Sequence, residues 1–182
     1  MVEAATRLYP LTGREFAGNG VKMRPLDGEH ERISLRADDA AVAGLGAAIG
    51  LELPTKPGDV ALADGLSALW LGPDEWLIMA EKGAGIEDKL NSVTTGLYSV
   101  VSINHRNTAI LVYGANAVHA LNGGCPRDLS LEAFPAGTCS RTIIGKAEVV
   151  LWRTDTHSFH VECWRSFSDY VWKFLVEAAR CA

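Results

Sequence analysis

Between residues 32 and 45 the chain reads "RISLRADDAAVAGL": apolar and polar positions alternate over "ISLRA", and then the period lengthens. Alternation with a period of two marks a half-buried strand, and the Ala-rich run after it reads as a helix. Asp38 and Asp39 supply an N-cap and a negative first turn. Gly46 and Gly50 suit the helix's C-terminal end, and "LPTKPGD" (53–59) is a loop. "VALADGLSALWLGPDEWLIMAEKG" (60–83) then reads strand, strand, turn, strand, and "IEDKLNSVTTGL" (86–97) is an amphipathic helical segment.

The same order returns. "TAILVYGANAVHALNGG" (108–124) is an alternating strand, a turn, a short helix and a Gly-Gly stop. "AGTCSRTIIGKAEVVLWRTDTHSFHVECWRS" (136–166) gives strand, strand, turn, strand, and "SDYVWKFLVEAARC" (168–181) closes with a helix. An overlay at an offset of 76 sets Leu35 on Leu111, Ala41 on Ala117, Val42 on Val118 and Leu45 on Leu121. Further on, Trp70 falls on Trp152 and Trp76 on Phe159. The chain therefore holds two diverged copies of a β-α-β-β-β-α unit. The fold class this predicts is α+β, two similar subdomains over 32–100 and 101–182, each pairing helices with an antiparallel or mixed sheet. Residues 1–31, polar and Gly-rich, read as an arm that takes order from what it packs on.

The repeat bears on the two tryptophans around "GPDE". If aromatic–turn–aromatic occurs twice with different turn residues, the shared element is a hairpin, with Gly72 and Pro73 at one corner and Asp155 and Thr156 at the other. Trp70 and Trp76 are then core or cross-strand residues, with Asp74 and Glu75 exposed at the tip.

Composition narrows the class. With 48% hydrophobic and 21% charged residues over 182 positions, the chain can bury a core without metal or disulfide support. A net charge of -5 argues against a nucleic-acid partner. Neither a signal peptide nor a membrane span is expected. Cys125, Cys139, Cys163 and Cys181 are scattered, as in a cytoplasmic protein with reduced thiols.

Candidate chemistry is sparse. No Ser or Cys nucleophile signature and no phosphate-binding glycine loop occur. His157 and His160 lie i, i+3 on a hairpin, where they point to opposite faces and read as surface histidines rather than metal ligands. Lys146 reads as a solvated turn residue. His105 and Arg106 form a polar cluster facing a partner, or else a linker between the copies. "ECWRSFSDYVW" (162–172) gathers Trp164, Phe167, Tyr170 and Trp172 with Arg165, a composition that protein interfaces over-use. A partner interface is accordingly expected at His105, Arg106, Trp164, Arg165 and Phe167.

"LGPDEWL", "NHRNTAI", "GCPRDLSLEAFPAGTCSRTIIGKAEVVLWR" and "VECWRSFSDYVW", in this order from about residue 26 onward, resemble the gamma subunit of heterotetrameric sarcosine oxidase. The resemblance implies a cytoplasmic bacterial complex with alpha, beta and delta subunits that oxidatively demethylates sarcosine to glycine. Such a complex makes hydrogen peroxide and passes the one-carbon unit to tetrahydrofolate or releases formaldehyde. It also implies that FAD, FMN and NAD sit in alpha and beta and zinc in delta, with no cofactor, metal or catalytic residue in this chain. The gamma role would be assembly, and an isolated chain would expose an aromatic and Arg-rich patch and could self-associate. The family's fold looks like that of the glycine-cleavage T-protein, the aminomethyltransferase folate-binding domain. Asp128 matches a T-protein Asp that lies by folate, so the alternative is a stand-alone tetrahydrofolate-binding or aminomethyltransferase-like domain using Asp128. Against it, "GKAEVVL" and "FHVECWR" replace the T-protein patterns that follow, and Asp128 reads first as a turn carboxylate.

Overall fold

The computed structural model of the chain describes residues 9–26 and 30–182. β1 (Phe16–Gly18) and β2 (Val21–Pro25) form a hairpin. β3 (His30–Ala37), α1 (Asp39–Ile49), β4 (Val60–Ala63), β5 (Leu66–Gly72), β6 (Glu75–Glu81) and α2 (Ile86–Asn91) make the first copy, and β7 (Tyr98–Ser102) follows. β8 (Asn107–Tyr113), α3 (Ala117–Asn122), β9 (Cys139–Ile144), β10 (Ala147–Asp155), β11 (Ser158–Trp164) and α4 (Ser168–Arg180) make the second, with one 3-10 turn (Arg165–Phe167) before α4. Asp38 caps α1 by accepting from the Ala41 N–H at 3.0 Å, and Gly50 ends it at a φ of 72° that disfavours a side chain.

Both sheets are antiparallel throughout: β4-β5-β6-β3-β7 and β1-β2-β8-β11-β10-β9. The connectivity crosses between them. β2 leads into β3 but pairs with β8, whereas β7 leads into β8 but pairs with β3. Each copy thus lends the strand before it to the sheet of the other. The described part of the N-terminal arm is therefore ordered within the second sheet, with Leu11, Val21 and Met23 in that half's core. β3 starts at His30, and β7 spans the residue-100 boundary while belonging to the first sheet. Residues 1–8 and 27–29 of the arm lie outside the described residues.

The layers stack helix, sheet, sheet, helix, and strand alternation sorts the side chains. On β6, Trp76, Ile78 and Ala80 face the α1 and α2 side, while Leu77 and Met79 face the other sheet. On β11, Phe159, Val161 and Cys163 join the core under α3 and α4, leaving His160 and Glu162 toward the first sheet. The middle layer holds Leu69, Leu77, Met79, Ile103 and Cys139, with Val150 and Trp152 against them. A β-bridge from Asp59 to Thr138 ties the two sheets at one corner.

The ladders correct the overlay of the copies. Trp70 pairs Trp76, and Arg153 pairs Phe159, each pair followed by the same one-residue irregularity. Trp70 therefore corresponds to Arg153, not Trp152, and Leu35 (opposite Trp76) corresponds to Val112 (opposite Phe159), not Leu111. A one-residue slip moves a strand side chain to the other face, and Trp152 lies in the middle layer for that reason. In the helices the offset of 76 holds: Ala41 and Ala117, Leu45 and Leu121 are all fully buried. The connecting turn is one residue shorter in one copy, which sequence overlay averages away.

The hairpin corners are Pro73–Asp74 and Thr156–His157, each one residue later than expected. Glu75 is not at the exposed tip: it is half-buried and bonded to Arg141 of the second copy. His160 is not a surface residue either, being 6% exposed and bonded to Glu162, whereas His157 is exposed.

Candidate partner interface

At the last position of β11, still paired with Asn107, Trp164 emerges with 40% of its surface exposed. The 3-10 turn then redirects the chain, held by the Ser168 hydroxyl donating to the Arg165 carbonyl at 2.7 Å. α4 buries Val171, Trp172, Leu175 and Ala179, leaves Tyr170 exposed and packs the half-buried Phe174 against the edge of that core. Phe167 and Tyr170, three apart and both exposed, share one outward face.

The rings along this stretch meet in two pairs. The Trp164 and Phe167 rings are 6.2 Å apart, and Tyr170 and Phe174 are 6.1 Å apart. The Arg106 guanidinium lies 5.3 Å over the Trp164 ring, a cation–π contact. The Arg165 N–H donates to the Arg106 carbonyl at 2.7 Å, which fixes the 103–106 turn against the start of the strip. Tyr170 is anchored as well, its hydroxyl accepting from the Lys146 N–H at 3.1 Å. Beyond Tyr170, a groove of about 830 Å³ runs between α3 and α4, lined by His119, Gly123, Phe174 and Ala178.

Two nearby cations share one carboxylate. Asp169 pairs with Arg14 and with Lys173, each at 2.7 Å, and the hydrogen bonds from Lys173 and Arg14 hold its carboxyl below the usual carboxylate range. With the ions mutually paired, the exposed aromatic surface is what this face offers a partner.

Of the expected interface residues, Arg106, Trp164 and Phe167 converge, and Arg165 joins through its backbone while its side chain is half-buried. His105 is exposed in the same turn. Trp172 points into the core. Phe174, half-buried against the core, lines the groove between α3 and α4. Asp128 is exposed and accepts from the Ser130 N–H at 2.8 Å, and that hydrogen bond holds its carboxyl below the usual range. It closes a local turn. Arg153 holds the same loop from below, donating to the carbonyls of Leu129 at 3.0 Å and Phe134 at 2.7 Å.

The buried polar cluster is Arg32, His160 and Glu162 between the sheets. Its carboxylate is occupied by Arg32 Nε at 2.7 Å, His160 Nε2 at 2.8 Å and Asn107 Nδ2 at 3.4 Å. The cavity beside Glu162 is about 30 Å³, room for a water. Among the described residues, no group of three His, Cys, Asp or Glu side chains is placed to hold a metal ion. No helix among them is long and apolar enough to cross a membrane.

Two copies of one unit with crossed strands and outer helices define an α+β protein, and the same fold occurs in about half of a glycine-cleavage aminomethyltransferase. The T protein of Bartonella henselae superposes with a TM-score of 0.62 at 13% identity, covering 88% of this chain and 49% of that one. The chain itself belongs to the sarcosine oxidase, gamma subunit family, whose model matches residues 34–181. It is 33% identical over 151 residues to the sarcosine oxidase subunit gamma of an Arthrobacter species, covering 81% of this chain and 74% of that protein. The subunit gamma of Corynebacterium sp. (strain U-96) is 31% identical over the same length, with the same coverage. A chain in the structure of heterotetrameric sarcosine oxidase from Corynebacterium sp. U-96 in complex with pyrrole 2-carboxylate superposes with a TM-score of 0.84 at 28% identity, covering 95% of this chain and 94% of that one.

Proposed function

We propose that this chain is the gamma subunit of a heterotetrameric sarcosine oxidase and acts there in assembly, without a catalytic group of its own. The alpha and beta subunits would carry FAD, FMN and NAD, and delta the zinc. The complex would oxidise sarcosine to glycine with formation of hydrogen peroxide, the one-carbon unit passing to tetrahydrofolate or leaving as formaldehyde. The observation that carries the reading is the exposed strip Trp164–Phe167–Tyr170, capped by Arg106. End-to-end likeness to a chain of a solved heterotetramer supports it.

Aromatic and Arg anchors of this kind dominate binding energy at protein interfaces. The strip therefore acts as the docking surface for a flavin-bearing subunit. Expressing alpha, beta and delta with and without this chain tests the role. The expected result is that omission lowers the yield of assembled flavoprotein and its sarcosine oxidation. Equal yield and equal activity without the chain would overturn the proposal.

A further inference from the structure

The two copies do not build equal sheets, and the difference falls at one place. In the second sheet, β2 lies beside β8 and is itself covered by β1. In the first sheet, β7 lies beside β3 in the corresponding position: Val100 stands opposite Leu35 as Met23 stands opposite Val112. Among the described residues β7 has no second ladder partner. Met23, covered by Phe16 of β1, is 2% exposed, whereas Val100 is half-exposed and Val101 is 50% exposed.

The ladder shows which groups face outward. The Ile103 N–H donates to the Arg32 carbonyl, and the Asp38 N–H to the Leu97 carbonyl. Odd-numbered positions of this segment therefore bond to β3, and the N–H and C=O groups of Tyr98, Val100 and Ser102 point away from the sheet. The edge carries none of the usual guards. "LYSVVS" (97–102) has no charge and no proline, and Leu97 is 79% exposed. β9, by contrast, carries Arg141, and β4 is four residues long between Asp59 and Asp64. The edge also runs through residues 103–106 into Arg106 and Trp164.

We propose that β7 receives one extended segment from another subunit of the same assembly, added antiparallel as β1 is added to β2. This rests on the subunit reading above. The incoming strand would place an apolar side chain opposite Val100, where Phe16 stands opposite Met23 in the other sheet. Its backbone would bond to the outward groups of Tyr98, Val100 and Ser102, and Arg106 and Trp164 would anchor the same partner at the end of the edge.

The test is amide hydrogen exchange on this chain, free and in complex with co-expressed alpha, beta and delta subunits, with two variants. Val101→Lys sets a charge on the edge. Ser102→Pro removes an outward N–H at an exposed position, where an edge strand tolerates proline. The expected result is at least tenfold slower exchange across residues 98–102 in the complex, and at least tenfold weaker assembly for each variant with an unchanged unfolding midpoint. Unaltered exchange there, with both variants assembling as tightly as the parent chain, overturns strand addition and leaves docking through Trp164 standing. Protection of the same amides in the free chain, growing with its concentration, would put a second copy on β7 and equally overturns it. A parent chain that forms no complex under any of these conditions overturns the subunit reading, and this inference with it.

Discussion

Arg32 on β3 donates to Glu162 on β11 at 2.7 Å, joining the two copies through a pair buried between the sheets. Two desolvated charges roughly break even against their mutual attraction. Each buried apolar side chain of the same layer contributes about 1.5–3 kcal/mol. Leu69, Leu77, Met79 and Ile103 therefore supply the adhesion. The ion pair fixes the register at which the sheets meet.

Breaking that pair should cost far more than replacing it. Arg32→Ala leaves a carboxylate buried, and a loss of about 3–5 kcal/mol is expected in denaturant unfolding. Joint replacement by Met and Leu should recover most of it. Burial opposes ionisation of Glu162, but the hydrogen bond from His160 and the charge of Arg32 outweigh it, so its pKa lies below the usual value. A depressed folded pKa gives stability that is complete above the unfolded value, about 4.3. That stability is lost as pH falls through the folded pKa. Unfolding free energy should accordingly drop through this acid window in the parent chain, and Glu162→Gln should abolish that component of the pH dependence.

Thiol reactivity should divide the cysteines. Burial pushes the thiols of Cys139 and Cys163 up to about 12, so neither forms thiolate near neutral pH. Cys181 is the exposed one. An alkylating reagent at neutral pH should label Cys181 in the native chain and reach Cys139 and Cys163 only on denaturation, as read by mass spectrometry.

Trp76 is 1% exposed and donates from its indole to the Pro54 carbonyl at 2.7 Å. Trp76→Ala should destabilise by about 3–5 kcal/mol. Trp76→Phe keeps most of the volume but strands the carbonyl, and should cost about 1–3 kcal/mol. Chemical denaturation followed by circular dichroism measures both.

The exposed strip should behave in the opposite way. Trp164→Ala and Phe167→Ala should each shift the unfolding free energy by less than about 1 kcal/mol. Each should weaken subunit binding at least tenfold, about 1.4 kcal/mol or more. Calorimetric titration alongside thermal unfolding separates the two effects.

Much of this fold could be read along the chain, because alternation and capping are local. The caps of α1 at Asp38 and Gly50, the paired hairpins and the repeat itself all follow from short-range pattern. The exchange of β2 and β7 could not, since a strand's partner depends on which edge is free after the rest has folded. The slip that set Trp70 on Trp152 has a related origin. Similar residues attract an overlay, but face is decided by a parity that a one-residue change in a connection reverses. Of the expected interface, aromatic and Arg enrichment over 162–172 pointed to Trp164, Arg165 and Phe167 and the polar pair at 105–106 to Arg106, while the inward turn of Trp172 required the phase of α4. His160 read as a surface hairpin residue because nothing local announces Arg32 across the layer.

The central claim is that this chain docks on flavin-bearing subunits through Trp164 and its neighbours. The most direct measurement mixes the purified chain with separately purified sarcosine oxidase subunits lacking gamma and follows flavin absorbance through size-exclusion chromatography. The parent chain is expected to co-elute with flavin and sarcosine-oxidising activity, and the Trp164→Ala, Phe167→Ala double variant to elute alone though fully folded. A parent chain that elutes alone beside a complete and active flavoprotein, or a folded double variant that co-elutes as tightly as the parent, would contradict it.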